Sequence, residues 1–112
     1  MALPEEASLL RIYINESDKR DGRSLYQWIV LEARRQGLAG ATVLRGKGGF
    51  GRHSRIRTTR ILRLSEDLPV VVEIVDATEK LEAFLESIDP FIEEGLATME
   101  KAFVRFYRSR KE

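Results

Sequence analysis

Cysteine is absent from the whole of this 112-residue chain, which excludes disulfides and thiolate metal sites. Histidine occurs once, at His53. One imidazole without thiolates is a poor start for a metal centre, so no metal is expected. No nucleophile or paired carboxylate stands at a spacing that would let His53 work as a general base. No apolar run approaches the roughly 20 residues of a membrane helix. The start, Met1-Ala-Leu-Pro-Glu-Glu6, has neither the basic flank nor the apolar core of a signal peptide. These absences lead to the expectation of a cytoplasmic protein that binds rather than catalyses.

What is present is an ordinary globular composition, 43% apolar and 33% charged, with room for one domain over 1–112 and no second core. The net charge of +1 hides an asymmetry. Between Ala41 and Ser65 stand seven basic side chains (Arg45, Lys47, Arg52, Arg55, Arg57, Arg60 and Arg63) and no acid. The rest of the chain is left with twelve basic and eighteen acidic residues. Such a segment is either a solvated basic loop or a cationic field that draws in phosphates or acidic protein surfaces.

Hydrophobic periodicity orders the chain. In Ser8–Asn15, Leu10, Ile12 and Ile14 alternate with Leu9, Arg11 and Tyr13, the period of a strand. A polar turn follows, then Ser24-Leu-Tyr-Gln27, which predicts a capping box. Its helix carries a stripe of Leu25, Trp28, Ile29 and Ala33 and stops at Gly37. Ala41–Arg45 predicts a second strand, running into Gly46-Lys-Gly-Gly-Phe-Gly-Arg52, too rich in glycine for regular structure. Ile61–Leu64 reads as strand-like, and Pro69–Val75 as the clearest strand of all. Asp76 or Thr78 is expected to cap a second helix with the stripe Leu81, Phe84, Leu85 and Ile88. A short helical turn from Asp89-Pro90 to Gly95, a last strand over Leu96–Tyr107 and a frayed tail complete the reading.

The predicted class is therefore α+β, a ferredoxin-like βαββαβ sandwich with a long loop between its second and third strands. Two amphipathic helices cover one face of such a sheet. The strands are apolar on both faces, however, with Leu9, Tyr13, Val71 and Val75 opposing Leu10, Ile12 and Val72. Either subunits associate through the second face, or the long loop folds back over it.

Several segments in order resemble a known family. Gly37-Leu-Ala-Gly-Ala-Thr-Val43, Gly49-Phe-Gly-Arg52 and Val70–Ile88 are similar to the PII (GlnB-like) signalling superfamily. The likeness is closer to a group of short PII-like proteins of bacteria and archaea classed as a domain of unknown function, with LRIYI, GLAGATVLRG and LRLSEDLPVVVEIVD. It spans about residues 8–107. It implies a homotrimer with clefts between subunits that hold a small anionic ligand, an adenine nucleotide in PII proteins. It also implies a protein target, such as a membrane transporter or channel, gripped by the long loop. By the same resemblance Gly49, Phe50, Gly51 and Arg52 form the ligand-binding loop base. Lys101 takes the place of the lysine in the PII phosphate loop, with Thr98-Met99-Glu100 where PII proteins have Gly-Asp-Gly.

On the residues alone, glycine-exposed N–H groups beside Arg or Lys make an anion cradle, although the loop lacks the pattern of a P-loop. The plainer alternative is a flexible turn. The rival class is an RNA-binding domain of the same strand order, using the basic loop on phosphates. Base stacking would need aromatics on the central strands, where only Tyr13 is available.

Overall fold

The computed structural model describes residues 3–50, 57–58 and 67–110. In chain order the elements are β1 (Glu6–Asn15), β2 (Lys19–Arg20), β3 (Arg23–Ser24), α1 (Leu25–Arg35), β4 (Thr42–Arg45), β5 (Gly48–Gly49), β6 (Arg57–Thr58), β7 (Pro69–Asp76), α2 (Thr78–Ile88), a 3-10 turn (Asp89–Phe91) and β8 (Leu96–Phe103). The four long strands form one antiparallel sheet in the order β4-β7-β1-β8. Each helix thus joins two parallel strands with a third strand between them, the split βαβ of a ferredoxin-like fold.

The alternation read in the sequence is the alternation that is buried. Along β7 it is unbroken, with Val70, Val72, Ile74 and Asp76 buried and their neighbours half-buried. Opposite them on β1 stand Ile14, Ile12, Leu10 and Ser8. Both helices lie on this face, placing Leu25, Ile29 and Ala33 of α1 and Leu81, Phe84 and Ile88 of α2 into one core. Trp28 packs against that core and meets Phe91 edge-to-face at 5.3 Å.

Several local expectations need correction. Ser24 occupies the N-cap position of α1 but its hydroxyl makes no capping bond. The Leu25 N–H donates instead to the Asp18 carbonyl at 2.7 Å, because β2 and β3 form a tight hairpin in front of the helix. Asp21 and Gly22 turn that hairpin with φ of 53° and 76°, the conformation Asp-Gly pairs favour. At the other end of α1, Gly37 (φ 79°) does stop the helix. Its N–H bonds to Arg34 O and that of Leu38 to Ala33 O, a Schellman motif. Ala77, not Asp76 or Thr78, is the N-cap of α2. The 3-10 turn ends at Phe91, and Gly95 serves a different purpose: a Cβ there would lie 2.8 Å from the Tyr13 carbonyl. The last strand ends at Phe103, short of Tyr107. Its final ladder bond, from the Val104 N–H to the Glu5 carbonyl, keeps the β1–β8 register, and among the described residues no partner strand continues beyond Glu5. Ile61–Leu64 and His53 lie outside the described residues.

Asp76, 2% exposed, is the one buried carboxylate among the described residues. It accepts the Ala39 N–H at 2.8 Å and the Ala77 N–H at 2.7 Å, and its other near neighbour is the Lys80 ammonium at 3.8 Å. Asp76→Ala would leave two inward N–H groups unpaired, and each orphaned donor costs about 1–3 kcal/mol. We expect a urea midpoint shift equivalent to at least ~2 kcal/mol, with Asp76→Asn milder because its amide oxygen still accepts. An unchanged midpoint would remove Asp76 from the framework.

Candidate functional site

The glycine-rich loop leaves the sheet at a well-fixed point. Gly46 follows β4, and its N–H donates to the Pro69 carbonyl at 2.8 Å. A side chain at Gly46 would put Cβ 2.9 Å from the proline ring, so only glycine allows this approach. The chain then pairs Gly48 with Thr58 and Gly49 with Arg57, leaving the body as a narrow two-stranded ribbon. Gly49 has φ of 146°, open to glycine and strained for other residues. Phe50 beyond it is 68% exposed. Gly51 and Arg52 lie outside the described residues.

At the foot of the ribbon Arg45 is ion-paired to Glu16, and the Glu16 side-chain hydrogen bond holds its guanidinium more firmly charged than usual. The Ser17 N–H donates to the Asp67 carboxylate at 2.9 Å. This corner is formed by the end of β1, the end of β4 and the start of β7.

Lys101 sits elsewhere. It lies on β8 opposite Ser8, is 73% exposed, and pairs with Glu6 at 3.1 Å. The preceding Thr98, Met99 and Glu100 are ordinary strand residues in register with Arg11, Leu10 and Leu9 of β1, so no glycine loop leads into the lysine. The sheet order puts β4 and β8 at opposite edges, about 14 Å apart at ordinary strand spacing. Along the strands, Arg45 is level with Val70 and hence Ile14, whereas Lys101 is level with Ser8. Those six residues add roughly 20 Å. Within one subunit the loop base and Lys101 therefore occupy diagonal corners. The structure does not bring them together.

The helix-free face of the sheet separates the corners. Leu9, Tyr13, Val71, Val75, Leu44 and Leu96 share it by register, and none is fully buried. Its only described central aromatic is Tyr13, which leaves an RNA-stacking surface without a second ring. At its centre the Arg11 guanidinium bonds Glu73 at 3.0 Å and Glu100 at 3.3 Å. The Glu73 hydrogen bond, with both glutamate charges, favours the protonated arginine.

The sequence reading missed one further feature. Between the β2–β3 hairpin and the 3-10 turn lies a cleft of about 380 Å³ lined by Asp18, Asp21, Phe91, Glu93 and Glu94. Arg20 closes it, its guanidinium 3.9 Å from the Phe91 ring centre and 5.4 Å from that of Trp28. The mixed charges of Asp18-Lys-Arg-Asp21 gave no cue to this stacking. Burial raises the Asp18 pKa, the Asn15 backbone N–H works against it, and the charges of Asp67 and Glu94 add to the rise.

An acid whose folded pKa lies above its unfolded value costs stability when ionised and returns it as pH falls through the folded value. Asp18→Asn should therefore be more stable than the parent at neutral pH. The gap should close as the solution is taken down toward and below the ordinary aspartate value of 3.8. Chemical denaturation at a series of pH values checks this; a gap that widens in acid would refute the sign.

Comparison with known proteins adds the following. The family model DUF190, described as "Uncharacterized ACR, COG1993", matches residues 7–104. A UPF0166 protein of Aquifex aeolicus is 41% identical over 92 residues, 82% of this chain and 87% of that one. Among solved structures, CPII, a nitrogen regulatory PII-like protein from Thiomonas intermedia K12 bound to ADP, AMP and bicarbonate, superposes with a TM-score of 0.68 at 19% identity, covering 88% of each chain. A putative PII-like signaling protein from Thermus thermophilus gives 0.64 at 17% identity, over 88% of this chain and 89% of that one. The fold is PII-like.

Proposed function

The chain belongs to the DUF190 family, and we propose that it works as a PII-like regulatory protein rather than an enzyme. In this reading it is a homotrimer that binds a small anionic ligand, an adenine nucleotide, in clefts between subunits. It engages a protein target, of the transporter or channel kind, through its Gly/Arg-rich loop.

The observation that carries the reading is the diagonal placement of the loop base and Lys101. Arg45 at the foot of the loop and Lys101 stand about 14 Å apart across the sheet and roughly 20 Å apart along it, too far to serve one ligand in one subunit. Association of subunits is what would let one subunit's Gly49–Arg52 meet its neighbour's Lys101, which by register leaves β8 on the Ser8 side of the sheet. At the centre of the helix-free face Arg11 bonds both Glu73 and Glu100, one cation against two carboxylates, so a subunit covering this face has a single remaining negative charge to answer. The nucleotides bound by the structural neighbour CPII support the choice of ligand class. With Thr98–Glu100 in regular strand, this reading assigns the phosphate contacts to the loop glycines, Arg52 and Lys101.

Light scattering should give three times the chain mass. Each charge-assisted hydrogen bond to phosphate contributes about 1.5–3 kcal/mol, so Arg52→Ala and Lys101→Ala should each weaken calorimetric binding of ADP or ATP about ten-fold or more. A monomeric protein, or a wild type that binds no better than either variant, would overturn the proposal.

A further inference from the structure

The end of the chain holds a feature that the nucleotide reading does not use. From Ala102 to Arg110 there are three cations (Arg105, Arg108 and Arg110) and no carboxylate. Among them stand three aromatic side chains left in water: Phe103 is 64% exposed, Phe106 69% and Tyr107 49%. Large exposed apolar groups gathered in one place mark a contact surface. The segment beyond β8 is irregular, yet it is tied down at two points, by the Val104 N–H on the Glu5 carbonyl at 2.7 Å and the Tyr107 hydroxyl on the Ala39 carbonyl at 2.6 Å. It is a fixed basic-aromatic edge that runs from the end of β8 past Glu5 to the α1–β4 connection.

We infer that this edge is a peripheral membrane contact, with the arginines on anionic lipid headgroups and the Phe103 and Phe106 rings at the headgroup–acyl boundary. Alternating cations and aromatic rings are the composition of interfacial anchors, and no described helix is long and apolar enough to span a bilayer. A single-stranded nucleic acid fits less well. The Arg108 guanidinium lies over the Phe106 ring, 4.2 Å from its centre, so that ring face is already taken and not open to a stacking base. A lipid interface accepts the Arg–Phe pair as it stands, since guanidinium and ring seek adjacent depths.

The test is co-sedimentation of the full chain with phosphatidylcholine vesicles containing half phosphatidylglycerol, against phosphatidylcholine alone. Wild type should partition onto the anionic vesicles and not the neutral ones, with binding that weakens as salt is raised. At about 1 kcal/mol per cation near an anionic surface, Arg105→Gln with Arg108→Gln should lower the partition coefficient about 30-fold. Phe103→Ser with Phe106→Ser should lower it about ten-fold at constant charge. Both pairs are exposed, so melting temperatures should stay close to the parent's. Phe106→Trp gives a second readout, a blue-shifted emission on anionic vesicles. Absence of vesicle binding, undiminished binding in both double variants, or binding of an oligonucleotide in preference to vesicles would overturn the inference.

Discussion

The fold depends on where the Asp76 carboxylate ends. It is buried at the junction of β7 and α2, and it reaches across to the Ala39 N–H in the connection between α1 and β4. Lys80, near the same carboxylate, donates in turn to the Gly37 carbonyl at the end of α1. One side chain thus fastens the start of the second helix to the exit of the first. The two βαβ halves are locked at the end where the Ser8 and Thr78 hydroxyls also meet at 2.6 Å. With that end closed, the loop base is free to emerge from the opposite end of β4 and β7.

The same topology dictates how function must be arranged. A split βαβ fold puts its second and fourth long strands at opposite edges, so groups carried by β4 and β8 cannot meet inside one subunit. The helix-free face between them is apolar at its rim, and at its centre Arg11 answers one of two glutamate charges. In the proposed function, self-association covers this face and brings the two distant corners together. Fold and proposed ligand site are thereby joined by one constraint, the order of strands.

Much of this was legible in the residues. The alternation of β1 and β7, the two helical stripes and the second apolar face all follow from side-chain period, and Gly37 announced its own left-handed turn. The capping predictions failed because backbone context decided them: the hairpin supplied Asp18 O to the first N–H of α1, and Asp76 turned its oxygens toward Ala39 and Ala77. The length of β8 misled because Phe103, Val104, Phe106 and Tyr107 read as strand formers, while the partner strand β1 begins only at Glu6 and leaves no described strand past Glu5 to pair with. The diagonal separation of Lys101 from the glycine loop was out of reach, since pairing order is a property of the sheet and not of any segment. Gly51 and Arg52 lie outside the described residues, so their part rests on the resemblance.

The central claim is that one cleft needs two subunits, and subunit mixing tests it most directly. Arg52→Ala and Lys101→Ala chains, each deficient in nucleotide binding alone, would be unfolded and refolded together in equal amounts. In a cyclic trimer with head-to-tail clefts, random mixing leaves about one cleft in four with both native side chains. The account predicts that calorimetry recovers wild-type affinity at about that fraction of sites. No recovery in properly mixed trimers would contradict it, because the two residues would then not share a cleft built from neighbouring subunits.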